Sequence, residues 1–370
     1  MQKLVLIGGG HSHAIALKMC ADNPLKNVKI VLINDVEKTP YSGMLPGYIA
    51  GYYTIEQTHI DLQKLAKKSQ TKLIIDQVID INTTQNTVTC SSGKIIPYDF
   101  LSIDIGSTPD KSNIKGAKEY ATPAKPVPTL LEKWHNILDN CRQKPQENIT
   151  LNIIGGGAGG VELALNMRQQ LINIIDQEKV TINIINRGSK ILSQHNQTAS
   201  NIFHNLLIDK KINLYLNTEI VQILPHKIIS AQSKEIRGNY HFLVTNSSPA
   251  PWLQKTNLSL DKKGFILVKN TLQTLSHDNI FATGDIATIQ NYPRPKAGVF
   301  AVKQGKPLYN NWRLLLKYQK PQPYHPQSLY LSLIGTGDKK AVAIWGDFAW
   351  LSRFFWFFKN YIDQKFMQQF

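Results

Sequence analysis

The chain carries one short plan twice. Lys3-Leu4-Val5-Leu6-Ile7 runs into Gly8-Gly9-Gly10, a helical pattern follows from His13 to about Ala21, and Asn27 to Ile33 reads as a second strand. Later, Ile149 to Ile154 runs into Gly155-Gly156-Gly157-Ala158-Gly159-Gly160, then a helix through about Ile175 and a strand from Val180 to Ile185. Short apolar runs bounded by glycine read as buried strands, and strand, turn, helix and strand in succession form a βαβ unit with parallel strands. A repeated unit of this kind predicts two parallel sheets, each with its own core.

The glycines say what the turns are for. In Gly155-x-Gly157-x-x-Gly160 the first glycine makes the turn, the second lets backbone approach a pyrophosphate, and the third allows close packing at a helix start whose dipole favours negative charge. The fold class expected is therefore α/β, with two Rossmann-like, doubly wound, three-layer nucleotide-binding domains. A carboxylate usually ends the second strand of such a unit and binds a ribose hydroxyl, but here Asn186 and Arg187 stand there. An arginine would attract a 2′-phosphate, so NADPH competes with NADH as the nucleotide. Gly8-x-Gly10-x-x-His13 is the incomplete copy, with His13 at the third glycine position and Asn34-Asp35 ending the next strand as ribose acceptor. His11 and His13 have no Cys, Asp or Glu beside them and make no metal site; packing at a helix start is the simpler role.

Thr122-Pro123-Ala124-Lys125-Pro126-Val127-Pro128 breaks the pattern before a helix from about Thr129, and the chain crosses back near Asp261 to Gly264. This predicts a first domain from residues 1–121 and 265–320, a second inserted as 122–264, and a C-terminal aromatic appendage at 321–370. The +16 formal charge is spread along the chain without a nucleic-acid module, which points to anionic cofactors, an anionic membrane surface, or solvated lysines. Cys20, Cys90 and Cys141 are too far apart for a disulfide framework or zinc site. Neither a signal peptide nor a spanning helix is expected, and the expected location is cytoplasmic, with membrane association on the cytoplasmic face left open.

Ile280-Phe281-Ala282-Thr283-Gly284-Asp285-Ile286-Ala287 closely resembles the second FAD fingerprint of the pyridine nucleotide-disulfide oxidoreductase superfamily. That resemblance implies that Gly284 and Asp285 bind the flavin ribityl chain. Tyr98 to Pro109 resembles the superfamily's strand ending Ala-Thr-Gly-Ser-x-Pro; Gly106, Ser107 and Pro109 stand, while Asp104 and Ile105 replace Ala-Thr. The first domain then takes FAD and the inserted one NAD(P)H. Disulfide reductases need two cysteines beside the flavin, and none lies between residues 21 and 89 or beyond Cys141.

Thr39-Pro40-Tyr41-Ser42-Gly43-Met44-Leu45-Pro46 resembles type II NADH:quinone dehydrogenases, and Gly8 to His13, Tyr41 to Gly51 and Ile362-Asp363 resemble a subgroup found as the N-terminal half of selenide water dikinase fusions. The resemblance places Pro46 and Gly106 at the flavin and Glu162 near the nicotinamide, where a carboxylate favoured by the helix dipole is the alternative. The family's Ala-Gln-x-Ala-x-Gln helix becomes Gly298-Val299-Phe300-Ala301-Val302-Lys303-Gln304-Gly305, so Val299 and Lys303 replace glutamines, leaving Lys303 or Gln304 to donate to a quinone carbonyl. The activity implied is hydride transfer from NAD(P)H to FAD and on to a diffusible acceptor, quinone favoured. The alternatives are a soluble NAD(P)H reductase of another carrier and a flavin-binding redox sensor linked to selenium metabolism. Trp350, Phe354, Phe357, Phe358 and Tyr361 recur at spacings of three and four, which predicts a helix from about Phe348 with an aromatic face for lipid, for the protein body, or for a second copy in a homodimer.

Overall fold

The computed structural model describes residues 1–109, 114–245 and 247–370. It places the repeated units in two parallel sheets of five strands each. In the first, Gln2–Ile7 is central between Val28–Asn34 and Phe100–Ile103, with Lys72–Ile75 and Ile280–Ala282 at the edges. In the second, Ile149–Ile154 is central between Val180–Ile185 and Tyr240–Leu243, with Asn213–Tyr215 and Ala121–Pro123 at the edges. Four strands share one order in both sheets, but the fifth, edge strand follows them in sequence in the first (Ile280–Ala282) and precedes them in the second (Ala121–Pro123); the fold is the expected α/β architecture with Rossmann-like sheets. Strands of the first sheet lie on both sides, in sequence, of all those of the second.

Alternation along the strands sorts the residues into layers. Leu151, Ile153, Ile182, Ile184 and Phe242 share a core with the helices Val127–Gln143, Ala158–Ile172 and Gln197–Asp209. Their neighbours Ile154, Ile185 and Leu243 pack instead on an antiparallel meander, Ile220–Leu224, Lys227–Ser230 and Glu235–Arg237. The first unit has the matching meander Val78–Asn82, Thr87–Cys90 and Ile95–Pro97. Helix Val127–Gln143 starts slightly earlier than Thr129 because a proline fits the first turn, and Leu130, Trp134, Ile137, Leu138 and Cys141 then recur on its buried side.

A polar ladder crosses the second sheet. Asn213 Nδ2 donates to Asn183 Oδ1 at 2.9 Å, Asn183 Nδ2 to Asn152 Oδ1 at 2.7 Å, and Asn152 Nδ2 to His241 Nδ1 at 3.1 Å. His241 Nε2 then donates to Leu224 O at 3.0 Å. These residues are aligned Cα to Cα in the strand register, and each buried amide finds a partner on the next strand.

The C-terminal region differs from expectation. Ser332–Gly335, Ala341–Trp345 and Phe348–Ser352 form an antiparallel sheet, and the helix begins only at Arg353, running to Met367. Gly346, at φ 56°, and Asp347 make a two-residue hairpin that pairs Trp345 with Phe348 and Ala343 with Trp350, so Trp350 belongs to a strand and not to the helix face. Ser352 caps the helix, its Oγ accepting the Phe354 N–H at 3.1 Å. Asp363 and Phe366 are buried, whereas Phe354, Phe357 and Tyr361 are 67%, 60% and 59% exposed, a largely apolar face open to solvent. Ile334, Val342 and Ile344 join the second core and Phe366 the first, so the appendage packs on both units. Among the described residues no helix is long and apolar enough to cross a membrane.

Candidate functional site

The two glycine turns share two backbone bonds. Gly8 N donates to Ile33 O and Gly155 N to Ile185 O, both at 2.9 Å; Ala14 N bonds Gly10 O at 2.9 Å and Val161 N bonds Gly157 O at 3.0 Å. The asparagine ending each second strand pins its turn. Asn34 Oδ1 accepts the Gly9 N–H at 2.7 Å and Asn34 Nδ2 bonds Val36 O, while Asn186 Oδ1 accepts the Gly156 N–H at 3.2 Å and its Nδ2 bonds Gly188 O and Lys190 O. With both asparagine amides so engaged, the residues offered to a ribose are the next ones, exposed Asp35 and Arg187. Arg187 lies 3.6 Å from Glu219, a loose pairing of exposed side chains.

The third glycine station separates the turns. A Cβ on Gly160 would overlap Gly155 O, so only glycine fits there. His13 is instead fully buried, Nδ1 donating to Gly8 O at 2.6 Å and Nε2 accepting from Ser102 Oγ at 2.8 Å. Burial pushes its pKa down to about 4, so the ring is a neutral pin beneath the turn. Its side chain is thus committed to the protein and does not reach the open side.

Around the first turn the structure gathers residues from distant segments. Gly284 N donates to Gln304 Oε1 at 2.7 Å, and Asp285 Oδ2 is met by Lys125 Nζ at 2.9 Å and Ser107 Oγ at 3.3 Å. Burial works to raise the Asp285 pKa, but Lys125, Lys296 and Ser107 outweigh it and hold the carboxyl below its ordinary value. Asp104, 2% exposed, accepts the N–H groups of Ser12 at 2.9 Å and His13 at 3.2 Å on Oδ2. Burial, with the charge of Asp285 adding to it, pushes the Asp104 carboxyl up to about 7 against those hydrogen bonds. Gln304 is buried and turned onto Gly284, whereas its neighbour Lys303 is exposed, so the two do not converge.

A second group of titratable side chains lies where the units and the C-terminal helix meet. Glu162, in the first turns of helix Ala158–Ile172, accepts the Gly335 N–H at 2.7 Å. Burial raises its pKa to about 7, partly countered by Lys359. Lys359 Nζ bonds Asp363 Oδ2 at 2.6 Å and also Gly43 O, and Tyr41 OH donates to Asp363 Oδ1 at 3.0 Å. Pro46 lies on the short helix Leu45–Ile49, whose Leu45, Tyr48 and Ile49 pack into the second core. Asp363 is visible in the sequence only as part of the subgroup resemblance; Lys125 carries no sequence signal, since its partner is 160 residues away. The free cysteines Cys20, Cys90 and Cys141 are all buried.

A family model described as pyridine nucleotide-disulphide oxidoreductase matches residues 2–305. The chain belongs to that family. It is an FAD-dependent oxidoreductase of the NADH dehydrogenase type, with FAD and NAD(P)H as cofactors. It is similar to the type II NADH:quinone oxidoreductase of Staphylococcus aureus, 23% identical over 347 residues covering 87% of this chain and 85% of that one. Among solved structures it resembles NDH2 from Plasmodium falciparum in complex with NADH, at TM-score 0.83 and 17% identity over 99% and 96% of the two chains. It also resembles the sulfide:quinone oxidoreductase of Aquifex aeolicus, at TM-score 0.82 and 20% identity over 100% and 91%. The residues beside the first turn fit a dinucleotide: Gly106, at φ 67°, faces open space, and His11 Nε2 and Thr283 Oγ1 are buried polar atoms without a protein partner.

Proposed function

We propose that residues 1–121 with 265–320 hold FAD, that 122–264 hold NAD(P)H, and that electrons leave to a diffusible quinone. Bound FAD supplies two-electron chemistry, taking a hydride from the nicotinamide and passing electrons to the acceptor. Gly8 and Gly10 bring backbone to the FAD diphosphate, Gly106, Gly284, Asp285 and Pro46 position the rest of it, and His13 and Asn34 act by holding the turn. Gly155, Gly157 and Gly160 receive the second nucleotide, with Arg187 drawing a 2′-phosphate. Glu162 holds or releases a proton near neutrality beside the nicotinamide, Gln304 acts by holding the Gly284 turn, and exposed Lys303 is left to face the acceptor.

The observation that carries the quinone reading is the two-sided helix Arg353–Met367. One side reaches the site through Asp363 and Tyr41 while the other presents Phe354, Phe357 and Tyr361 outward, as access for a lipid-borne acceptor requires. The same face, with the +16 net charge, supports peripheral attachment to an anionic cytoplasmic membrane face. The test is steady-state NAD(P)H oxidation with a short-chain quinone, ferricyanide or oxygen. Fast turnover with quinone supports the reading. Turnover with ferricyanide alone points to a reductase of another carrier, which the replacement of glutamine by Lys303 favours; negligible turnover throughout points to a redox sensor, with selenium metabolism its proposed setting.

A further inference from the structure

The two glycine turns part company at Asp104. Its station in the inserted unit is held by Val244: Asp104 N bonds Ile7 O at 2.9 Å and Val244 N bonds Ile154 O at 2.8 Å. A Cβ on Gly8 would overlap Asp104 O, just as one on Gly155 would overlap Val244 O. In the inserted unit Val244 offers no acceptor to the start of helix Ala158–Ile172, and Gly157 faces open space, so the approach to this helix start is open to a ligand anion. In the first unit the Asp104 carboxyl takes the Ser12 and His13 N–H groups and fills the space over Gly10 and Gly284. A protein acid thus occupies part of the anion cradle of helix His11–Asp22.

We infer that Asp104 is a positioning residue for FAD that must be protonated when the cofactor is bound, its carboxylic acid sharing the helix donors with the cofactor diphosphate. The inference rests on the proposal that FAD occupies the first turn. A helix N-terminus offers about half a unit of positive charge, too little to hold both a carboxylate and a diphosphate in a buried place. A neutral acid keeps its carbonyl oxygen on Ser12 and His13 and has an O–H to donate to a phosphate oxygen. The proton comes from water, so one proton is taken up per FAD bound wherever the empty site is ionised. His11 and His13, on the helix, are both held near pKa 4 and stay neutral at physiological pH. From the Thr-Gly-Asp side, Asp285 faces the acid with Lys125 paired to it, while Lys296, bonded to Ala287 O and Thr288 Oγ1, acts on Asp285 only through its charge; Lys296, pulled down to about 8, titrates in the same range.

The test uses the flavin-loaded full chain, diluted at a series of pH values from about 6 to about 8.5, with released FAD read by its fluorescence. FAD affinity of the wild type should fall by up to about tenfold per pH unit above neutrality, the slope of one linked proton. Asp104→Asn, neutral at every pH and able to accept the same two N–H groups, should lose that slope and retain only the smaller fall due to Lys296. A wild-type affinity that does not change with pH, or an equal slope in Asp104→Asn, overturns the inference while leaving FAD in the site. Absence of FAD from the wild type at every pH overturns the cofactor placement as well. The wild-type profile decides even where the variant does not fold.

Discussion

Lys125 Nζ lies 2.9 Å from Asp285 Oδ2, closing a cation from the segment that enters the inserted unit onto the acid of the Thr-Gly-Asp turn. With its carboxyl held below the ordinary value of 3.8, Asp285 contributes stability at pH above that value and loses it as pH falls further. Asp285→Ala leaves Lys125 without its partner and removes the proposed ribityl acceptor. It should purify largely colourless, and full flavin content in its absorbance spectrum would remove Asp285 from the site.

Arg187 is exposed and only loosely paired, so it is available to a phosphate at little cost. Arg187→Ala should lower the ratio of kcat/KM for NADPH to that for NADH by roughly tenfold or more, the worth of a charged hydrogen bond. An unchanged ratio would show that the guanidinium does not reach the nucleotide.

Glu162 has its pKa raised from 4.5 to about 7, so its ionisation costs stability that is fully present below pH 4.5 and lost as pH rises through 7. Glu162→Gln removes that dependence. The melting temperature of the variant minus that of the wild type should therefore climb between those two values and level off above them. A constant difference across the range would mean that Glu162 is an ordinary exposed acid.

Asn152 sits mid-ladder, so Asn152→Ala strands both Asn183 Nδ2 and His241 Nδ1 inside the sheet. Denaturant unfolding should show a loss of about 2–4 kcal/mol. A loss under about 1 kcal/mol would mean that water or neighbouring groups replace the amide.

The tail has separable faces, and this decides which variant tests membrane attachment. Truncation before Phe348 would remove buried Asp363 and Phe366 and should destabilise the protein. Replacing exposed Phe354, Phe357 and Tyr361 by serine should leave the melting temperature unchanged while abolishing flotation with anionic liposomes at low salt. Unaltered flotation would show that this face is not the lipid contact.

How far the sequence is legible follows the range of the interactions. The βαβ repeats can be read because strand periodicity and glycine turns are local properties. The strand Phe348–Ser352 is missed because three- and four-residue spacing of aromatics outweighs the short Gly346-Asp347 hairpin signal. Gly346-Asp347 was nevertheless there to be read. Asn34 is read as part of a ribose acceptor and Asn186 as a departure from one, but both amides hold the turns, a role visible only once strand end and turn are side by side. Lys125 with Asp285, and Tyr41 with Asp363, unite segments far apart in the chain. No local pattern encodes such pairs.

The asparagine ladder bears on how the second sheet pairs its strands correctly. Val180–Ile185 is Val-Thr-Ile-Asn-Ile-Ile and Ile149–Ile154 is Ile-Thr-Leu-Asn-Ile-Ile, so a slide of two residues would return aliphatic groups to the same faces with little change in buried area. In either direction the same slide would set one of Asn152 and Asn183 against an isoleucine and the other against a threonine, breaking the amide-to-amide bonds of the ladder. The ladder acts as a key cut for one alignment, turning a nearly degenerate set of pairings into a single address for each strand.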